Sequence, residues 1–401
     1  MRAPLWTSCR RAALAGALVA GTVLAGASSS LAAAGPVAHA GVRGAAPVNS
    51  LSGVAVTPGG RAWAVGYSAG PGGASTLIEA WTGVKWAIVA SPNGGNVENI
   101  LNAVAATSGR DAWAVGSYAK GGLVRTLIEH WNGVGWKLVP SPNAGGTAGR
   151  DVLNGVAATS PDNAWAVGQY WNGHALQTLI EHWNGRRWTL VRSPDPGGPD
   201  RLDSLSAVTA TLTTAWAVGS YKIGPNPPRT LTEEWADGSW HVVPSPSPGA
   251  AGTADSLSGV AAGGTGVWAV GRTIDPHSGQ GRPLAERWTG QAWQVAPSQN
   301  PGGVTPDNLL SGVAVGGPSK AWAVGTYQKG NLGVTLVEHL VGGTWRAVPS
   351  PNVGGPDYLN AVAASSSTAW AVGQYAQGTS TRTLIERWTL AGWTITPSPN
   401  R

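Results

Sequence analysis

The stretch Ala112-Trp113-Ala114-Val115-Gly116 decides the fold, because versions of it recur along the whole chain. Seven versions occur in the 401 residues and define repeats 1 to 7. Their Trp residues are Trp63, Trp113, Trp165, Trp216, Trp268, Trp322 and Trp370. A period of about 50 residues is typical of architectures in which each repeat is one supersecondary unit stacked on its neighbours. The sequence therefore predicts a repeat fold with one continuous core.

Each repeat contains four short runs of β-type composition, as repeat 2 shows. Its runs cover residues 101–106, 112–116, 126–131 and 136–139, separated by Gly, Asn and Pro turn signals. Such runs indicate antiparallel strands, here called a, b, c and d, and no segment shows a sustained helical period. Four strands in each of seven units predict an all-β fold, a seven-bladed β-propeller with four antiparallel strands per blade.

The order of the strands within a blade follows from their composition. Strand a is the richest in Ala and Gly, which suits a crowded position beside the axis. Strand d ends in Ser-Pro, and Pro is tolerated at a sheet edge, where its missing N–H is not needed. We therefore expect strand a innermost and strand d outermost, with the ring closed by packing of blade 1 on blade 7.

The N-terminal region has the pattern of a cleaved secretory signal peptide. Arg10-Arg11 precede a short apolar run, and Ala38-His39-Ala40 provide a small-residue cleavage site. The arginine pair leaves twin-arginine export open beside the Sec route. We expect a signal peptide at 1–40, a short linker at 41–48 and the propeller at 49–401. The predicted blades cover about 49–95, 96–146, 147–198, 199–250, 251–303, 304–355 and 356–401.

Composition excludes several classes for the mature chain. The formal charge of +6 includes three arginines of the predicted signal peptide. The remainder holds no dense basic patch, so we expect no nucleic-acid partner. The single cysteine, Cys9, also lies in that peptide, so the mature chain would have no disulfide. The apolar run is too short for a membrane anchor. We expect a secreted, extracellular monomer without a transmembrane span.

Two further motifs accompany Ala-Trp-Ala-Val-Gly: Leu-Ile-Glu-His-Trp-Asn-Gly at 127–133 and Pro-Ser-Pro-Asn at 140–143. With them the mature chain resembles the kelch and galactose-oxidase central-domain propellers. It is more similar still to a group of secreted actinobacterial Trp-rich repeat proteins. Kelch repeats place a Gly doublet after the second strand, whereas here Gly116 is followed by Ser117. The resemblance implies a propeller used as a binding scaffold and names no ligand.

Residues shared by all repeats are predicted to be scaffold. The strand b Trp residues are expected between blades, and the pair that flanks the c–d hairpin, such as Trp131 and Trp136, is expected to pack rather than to stack on sugars. Repeat 6 has Leu340 opposite Trp345, and an aliphatic substitute suits packing. Each strand c has one Glu, whose burial requires hydrogen bonds, expected from backbone or indole N–H groups. These are Glu79, Glu129, Glu181, Glu233, Glu286, Glu338 and Glu386.

No enzyme motif fits the predicted fold. The segment 66–70 matches G-x-S-x-G, but that motif requires a strand, a turn and a helix. Copper chemistry of the galactose-oxidase type requires a Tyr–Cys crosslink, for which the mature chain has no Cys. We predict no catalytic residue and no cofactor.

Functional differences are expected on the face formed by the b–c and d–a connections. These are the long variable segments, and ligand sites favour loops on a rigid scaffold. Aromatic and polar residues there suit carbohydrate or protein contact, with packing of the Tyr rings as the alternative. The ligand-binding candidates are Tyr118, Tyr170, Trp171, Asn172, His174, Tyr221, Arg272, Asp275, His277, Tyr327 and Tyr375.

An Asp or Asn stands two residues before the Leu of every strand a. If strand a is innermost, these residues form a ring at the mouth of the central channel. Asp and Asn commonly cap turns through local hydrogen bonds, and four carboxylates around a channel also suit a hard cation such as calcium. The ring residues are Asn49, Asn99, Asp151, Asp203, Asp255, Asn308 and Asp357.

Three functions follow from this sequence. The primary hypothesis is a secreted, non-enzymatic propeller whose b–c/d–a face binds an extracellular glycan or glycoprotein. The first alternative is a protein–protein interaction propeller, which binds a surface protein through one asymmetric patch on blades 3 and 5. The second is a secreted hydrolase or lyase with a site at the channel mouth.

Overall fold

Apart from one 3₁₀ turn at Gly146–Ala148, the regular structure described is entirely β, which confirms the predicted all-β class. The predicted signal peptide and the candidates Asp275 and His277 lie outside the described residues. The computed structural model describes residues 46–57, 59–249, 252–274, 280–303, 308–317 and 320–401.

The strands fall into groups of four, one group for each repeat. The a strands are β1 (Val48–Val56), β5 (Asn99–Ser108), β9 (Asp151–Ser160), β13 (Asp203–Ala210), β17 (Ala254–Gly263), β21 (Leu309–Gly317) and β25 (Asp357–Ala364). The b strands are β2 (Ala62–Gly70), β6 (Asp111–Lys120), β10 (Asn163–Trp171), β14 (Ala215–Tyr221), β18 (Gly266–Ile274), β22 (Lys320–Lys329) and β26 (Ala369–Gln377). The c strands are β3 (Gly73–Trp81), β7 (Leu123–Trp131), β11 (Leu176–Trp183), β15 (Arg229–Ala236), β19 (Gly281–Trp288), β23 (Leu332–Val341) and β27 (Ser380–Thr389). The d strands are β4 (Trp86–Val89), β8 (Trp136–Leu138), β12 (Trp188–Val191), β16 (Ser239–Val242), β20 (Trp293–Val295), β24 (Thr344–Ala347) and β28 (Gly392–Ile395).

Within each repeat the strands pair antiparallel in the order a, b, c, d, as predicted. Repeats 2 to 6 each form a separate four-stranded sheet, whereas repeats 7 and 1 share an eight-stranded sheet. The link between these two repeats is one parallel pair, Val48 with Thr381. Similar parallel bridges join residues 74 and 98 and residues 124 and 150, from strand c of one repeat to the start of the next. The link is therefore a recurring contact between neighbouring repeats.

The sheets follow one another around a ring of inner strands. The a strands contact one another in chain order, and β25 of repeat 7 contacts β1 of repeat 1. Among the described residues each d strand pairs only with the c strand of its own repeat. These contacts place strand a at the centre and strand d at the rim, as the composition predicted. Such an arrangement of sheets is a β-propeller.

The hydrophobic core lies between successive repeats and is built on clusters of Trp. The ring of Trp113 in repeat 2 lies 4.8 Å from Trp183 and 5.2 Å from Trp188 of repeat 3, the second contact being perpendicular at 86°. Trp370 of repeat 7 contacts Trp81 and Trp86 of repeat 1 in the same way. The predictions that the Trp residues fill the core between blades and that the hairpin pairs pack are confirmed.

A polar contact also joins each repeat to the next, and its donor differs from the prediction. The strand c Glu is fully buried in every repeat. In the repeats other than repeat 3 it accepts a hydrogen bond from the Ser of Pro-Ser-Pro, or its equivalent, in the preceding repeat, as from Ser91 to Glu129 at 2.9 Å and from Ser398 to Glu79 at 2.9 Å. The expected backbone donor occurs at Glu338, to which the Gln299 N–H donates at 2.9 Å. The expectation of backbone or indole donors was therefore wrong for most repeats.

These buried carboxyls have strongly raised pKa values. Burial raises the pKa of Glu129 from 4.5 to about 8, although the hydrogen bond from Ser91 opposes the rise. Burial raises that of Glu338 to about 7. The pKa is also raised to about 8, through burial, at Glu79, Glu181, Glu233, Glu286 and Glu386. The protonated form is thus favoured near neutral pH because a charge here would lose its hydration.

The Gly that ends the Ala-Trp-Ala-Val-Gly motif faces a β-bulge in strand a. In repeat 2 the register shifts between Leu101 and Ala103, and a Cβ on Gly116 would lie 1.9 Å from the carbonyl oxygen of Ile100. In the other repeats the same Gly would meet a strand a carbonyl at 1.9 to 2.1 Å. Only a residue without a side chain fits at this close approach.

Replacing Gly116 with Ala is expected to lower the free energy of unfolding by about 1–3 kcal/mol, because overpacking forces backbone shifts. Denaturant unfolding of the two proteins measures the difference. Gly135→Ala, in the c–d turn of the same repeat, is the matched control, since a Cβ there would meet nothing within 4 Å. Equal losses for the two variants would contradict this role of the bulge.

Candidate functional site

The b–c and d–a connections lie at the same end of the antiparallel sheets and so form one face. The predicted ligand-binding residues belong to this face. The five candidate Tyr rings on it are half-buried and pack against the hydrophobic clusters between repeats. A Cβ on Gly94 would lie 2.8 Å from the ring of Tyr118, which shows how closely that ring covers the preceding d–a connection. The rings are thus part of the packing, and ligand contact by Tyr118, Tyr170, Tyr221, Tyr327 and Tyr375 stays a prediction.

The b–c hairpin of repeat 3 carries three candidates with different surroundings. Asn172 accepts hydrogen bonds from the N–H groups of His174 at 2.8 Å and Ala175 at 2.9 Å, and its amide donates to the Pro199 carbonyl at 2.8 Å. It therefore holds the hairpin turn against the following d–a connection. His174 is exposed, and Trp171 is half-buried at the end of its strand.

The alternative patch on blades 3 and 5 would span an intervening sheet. Trp171 belongs to β10 and Arg272 to β18. The strands β13 to β16 of repeat 4 form the sheet between them. Arg272 is half-buried on its strand, with Pro283 as its cross-strand neighbour.

The Asp and Asn ring residues are buried turn caps, because all seven are at most 2% exposed. Asn99 accepts a hydrogen bond from the Gly95 N–H at 2.8 Å, and Asp151 accepts one from the Gly145 N–H at 2.8 Å. Burial raises the pKa of Asp203 to about 6, although hydrogen bonds from two backbone N–H groups oppose the rise. Six of the seven side chains close the d–a connection before their own strand, as the turn-capping interpretation expects. Asn49 instead bonds to the backbone N–H and carbonyl of Arg401. Calcium binding by the ring stays a prediction.

The histidines of strand c pack against Trp rings and are not clustered with one another. The His130 ring centre lies 4.2 Å from that of Trp113, and the His182 ring centre lies 4.2 Å from that of Trp165, both pairs being tilted. The Nε2 atom of His130 lies 2.7 Å from a carboxylate oxygen of Asp111. Within the part of the chain that the structure describes, no three His, Cys, Asp or Glu side chains are grouped as metal ligands would be.

A polar pocket of about 350 Å³ lies on the b–c/d–a face between repeats 4 and 5. Asn226 and Arg229 line it from the b–c connection of repeat 4, and Ser247, Thr253 and Asp255 line it from the following d–a segment. The guanidinium-bearing Arg229 is exposed, whereas Asp255 is only 2% exposed. One Asp255 oxygen accepts from the Gly249 N–H at 3.4 Å. The other, Oδ1, is buried and accepts no hydrogen bond from the described residues.

The sequence analysis named Asp255 as a candidate but not Arg229, although a recurring pattern marks the position of Arg229. Arg229 is the cross-strand partner of Tyr221, just as Arg125 is the partner of Tyr118. Side chains directly opposite on neighbouring strands project from the same face of a sheet. The recurrence of Arg opposite the candidate Tyr, again in repeat 7 at Arg382, thus marks these positions of the b–c face.

The fold defines the chain as a β-propeller-type repeat protein. No protein-family model matches it, and no curated protein matches it. Among solved structures it is similar to a variant of the Aleuria aurantia lectin in complex with Fucα1-6GlcNAc, with 13% identity, a TM-score of 0.43 and coverage of 86% of this chain and 94% of that one. It is also similar to YCF48 bound to D1 peptide, with 13% identity, a TM-score of 0.47 and coverage of 81% and 91%. At these values neither likeness bears on what this chain binds.

Among the described residues, no helix has the length and hydropathy needed to cross a bilayer.

Proposed function

We propose that the chain is a secreted, non-enzymatic, seven-bladed β-propeller that binds carbohydrate, free or on a glycoprotein, through its b–c/d–a face. Each four-stranded repeat is one blade. The signal-peptide pattern at 1–40 supports secretion. The observation that carries the proposal is the polar pocket between repeats 4 and 5, which combines an exposed Arg229 with the buried, incompletely bonded carboxyl of Asp255.

The chemistry of this pocket suits sugar hydroxyls. A hydroxyl group both donates and accepts hydrogen bonds. The guanidinium of Arg229 only donates, and the free oxygen of Asp255 accepts in its ionised form. Ser247 and the Asn226 amide add groups of both kinds. Neighbouring hydroxyls of one sugar ring can therefore bridge the two sides of the pocket.

The recurrence of Tyr and Arg in other repeats supports weaker copies of the site. Arg125 and Arg382 occupy the position of Arg229 opposite Tyr118 and Tyr375. Sites repeated around one ring raise the overall avidity for a polymer without any new contact. A polysaccharide is thus a better ligand than a single sugar for this face.

Binding of the purified protein to a broad glycan and polysaccharide array, with and without calcium, tests the proposal. We expect selective retention, reduced about tenfold or more by Arg229→Ala, because hydrogen bonds to charged groups are worth about 1.5–3 kcal/mol. Arg110→Ala is the matched control and should change little, because Arg110 is exposed in the a–b turn of repeat 2, on the opposite face. Dependence on calcium would assign the cation to the Asp and Asn ring. A blank array with a folded protein would contradict the proposal and favour the protein-binding alternative.

A further inference from the structure

Leu340 is the one exception in the Trp clusters between repeats. In the other six repeats this strand c position is Trp, and its indole lies 4.6 to 4.8 Å from the strand b Trp of the preceding repeat. At two of these positions the indole N–H also donates to a carbonyl of an a–b turn, from Trp131 to Gly109 at 3.2 Å and from Trp183 to Pro161 at 3.0 Å. The repeat architecture therefore has a place for an indole at each junction.

At the junction of repeats 5 and 6 that place is not filled by an aromatic ring. Trp268 keeps its perpendicular partner Trp345, at 5.3 Å and 86°, and Leu340 replaces the other. A cavity of about 600 Å³ opens here between the a–b turn at 264–266 and the c–d turn at 341–343. Topology places both turns on the face opposite to the b–c connections. The cavity is thus separate from the proposed carbohydrate site.

The cavity has a cation at its edge and a polar group in its wall. Arg287 is exposed, and its guanidinium carbon lies 5.7 Å from the centre of the Trp268 ring. The one ion pair among the described residues joins His130 and Asp111, so no described carboxylate neutralises Arg287. The hydroxyl of Thr265 is buried and has no hydrogen-bond partner among the described residues. Both groups line the cavity.

We propose that this cavity is a second binding site, for a planar aromatic ring that carries an anionic group. The ring takes the place that an indole of the chain itself occupies at the other six junctions, against Leu340 and beside Trp268. The anionic group pairs with Arg287, and a ring N–H or a polar substituent reaches the hydroxyl of Thr265. The proposal does not depend on carbohydrate binding by the opposite face.

Calorimetric titration of the purified protein with indole-3-carboxylate, and with neutral indole for comparison, tests the site. We expect the carboxylate to bind more tightly than indole. Leu340→Trp restores the residue found in the other repeats, so it should fold and should abolish binding of both probes by filling the cavity. Unchanged glycan binding by this variant would confirm that the two sites are separate.

Arg287→Ala gives a second test that leaves the core intact. It is expected to weaken the binding of indole-3-carboxylate about two- to fivefold, which is the contribution of an exposed ion pair. The affinity for neutral indole should be unchanged. Arg387→Ala is the matched control, because Arg387 has the same position in repeat 7, where it lies over Trp370 and Trp81 and no Trp is missing. No binding of either probe to the wild type, or equal binding to Leu340→Trp, would overturn the proposal.

Discussion

The free energy of unfolding is expected to fall by several kcal/mol as the pH is raised from about 5 to about 9. The seven strand c Glu side chains are fully buried, and burial raises their pKa from the ordinary 4.5 to about 8, or about 7 at Glu338. Between these values the folded chain holds the protons and the unfolded chain releases them. Stability is then lost as the pH rises through this range.

Thermal unfolding measured across this pH range checks the expectation. The melting temperature should be highest in mild acid and should decrease steadily above neutral pH. Glu129→Gln keeps an acceptor for the Ser91 hydroxyl but cannot ionise, so its pH dependence should be shallower than that of the wild type. A melting temperature that is constant from about pH 5 to about pH 9 would show that these carboxyls are ionised in the folded protein.

Replacing Trp113 with Ala is expected to lower the free energy of unfolding by about 3–5 kcal/mol, the usual cost of removing a buried Trp. The side chain is 1% exposed and contacts His130, Trp183 and Trp188 at 4.2 to 5.2 Å. Its loss would leave a cavity between repeats 2 and 3 that neither sheet can fill alone. Denaturant unfolding followed by circular dichroism measures the effect.

Trp171→Ala is the matched control for that measurement. Trp171 is half-buried at a strand end and lies outside the Trp clusters between repeats. Its removal should cost much less than the removal of Trp113. Similar losses for the two variants would mean that the Trp clusters do not dominate the core.

The repeated motifs predicted most of the architecture because they report local physics. The recurring Trp of strand b indicated packing between blades, and the Ser-Pro that ends strand d indicated an edge. Both interpretations hold in the structure. The partner of Glu129 could not be found in this way, because Ser91 belongs to the previous repeat and only the ring geometry brings the two together.

The candidate site was less accessible to sequence reasoning for a related reason. A pocket between repeats combines side chains from two segments, such as Arg229 and Asp255, whose proximity no local pattern encodes. Residue type alone selected Asn172, whose side chain bonds to its own turn and to the following d–a connection. Leu340 was visible as a departure from the repeat, but the sequence indicated packing and only the structure shows the cavity beside it.

The junction between repeats 7 and 1 is the one that the backbone does not cross. It nevertheless has the same contacts as the others: Trp370 packs on Trp81, Ser398 bonds to Glu79, and the Asn360 amide donates to the Leu51 carbonyl at 2.8 Å. Side chains and non-covalent bonds thus suffice to join two neighbouring sheets. In this ring the peptide link between blades serves as a tether that raises the local concentration of complementary surfaces. A circularly permuted chain that is cut between two other blades would therefore retain the same set of interfaces.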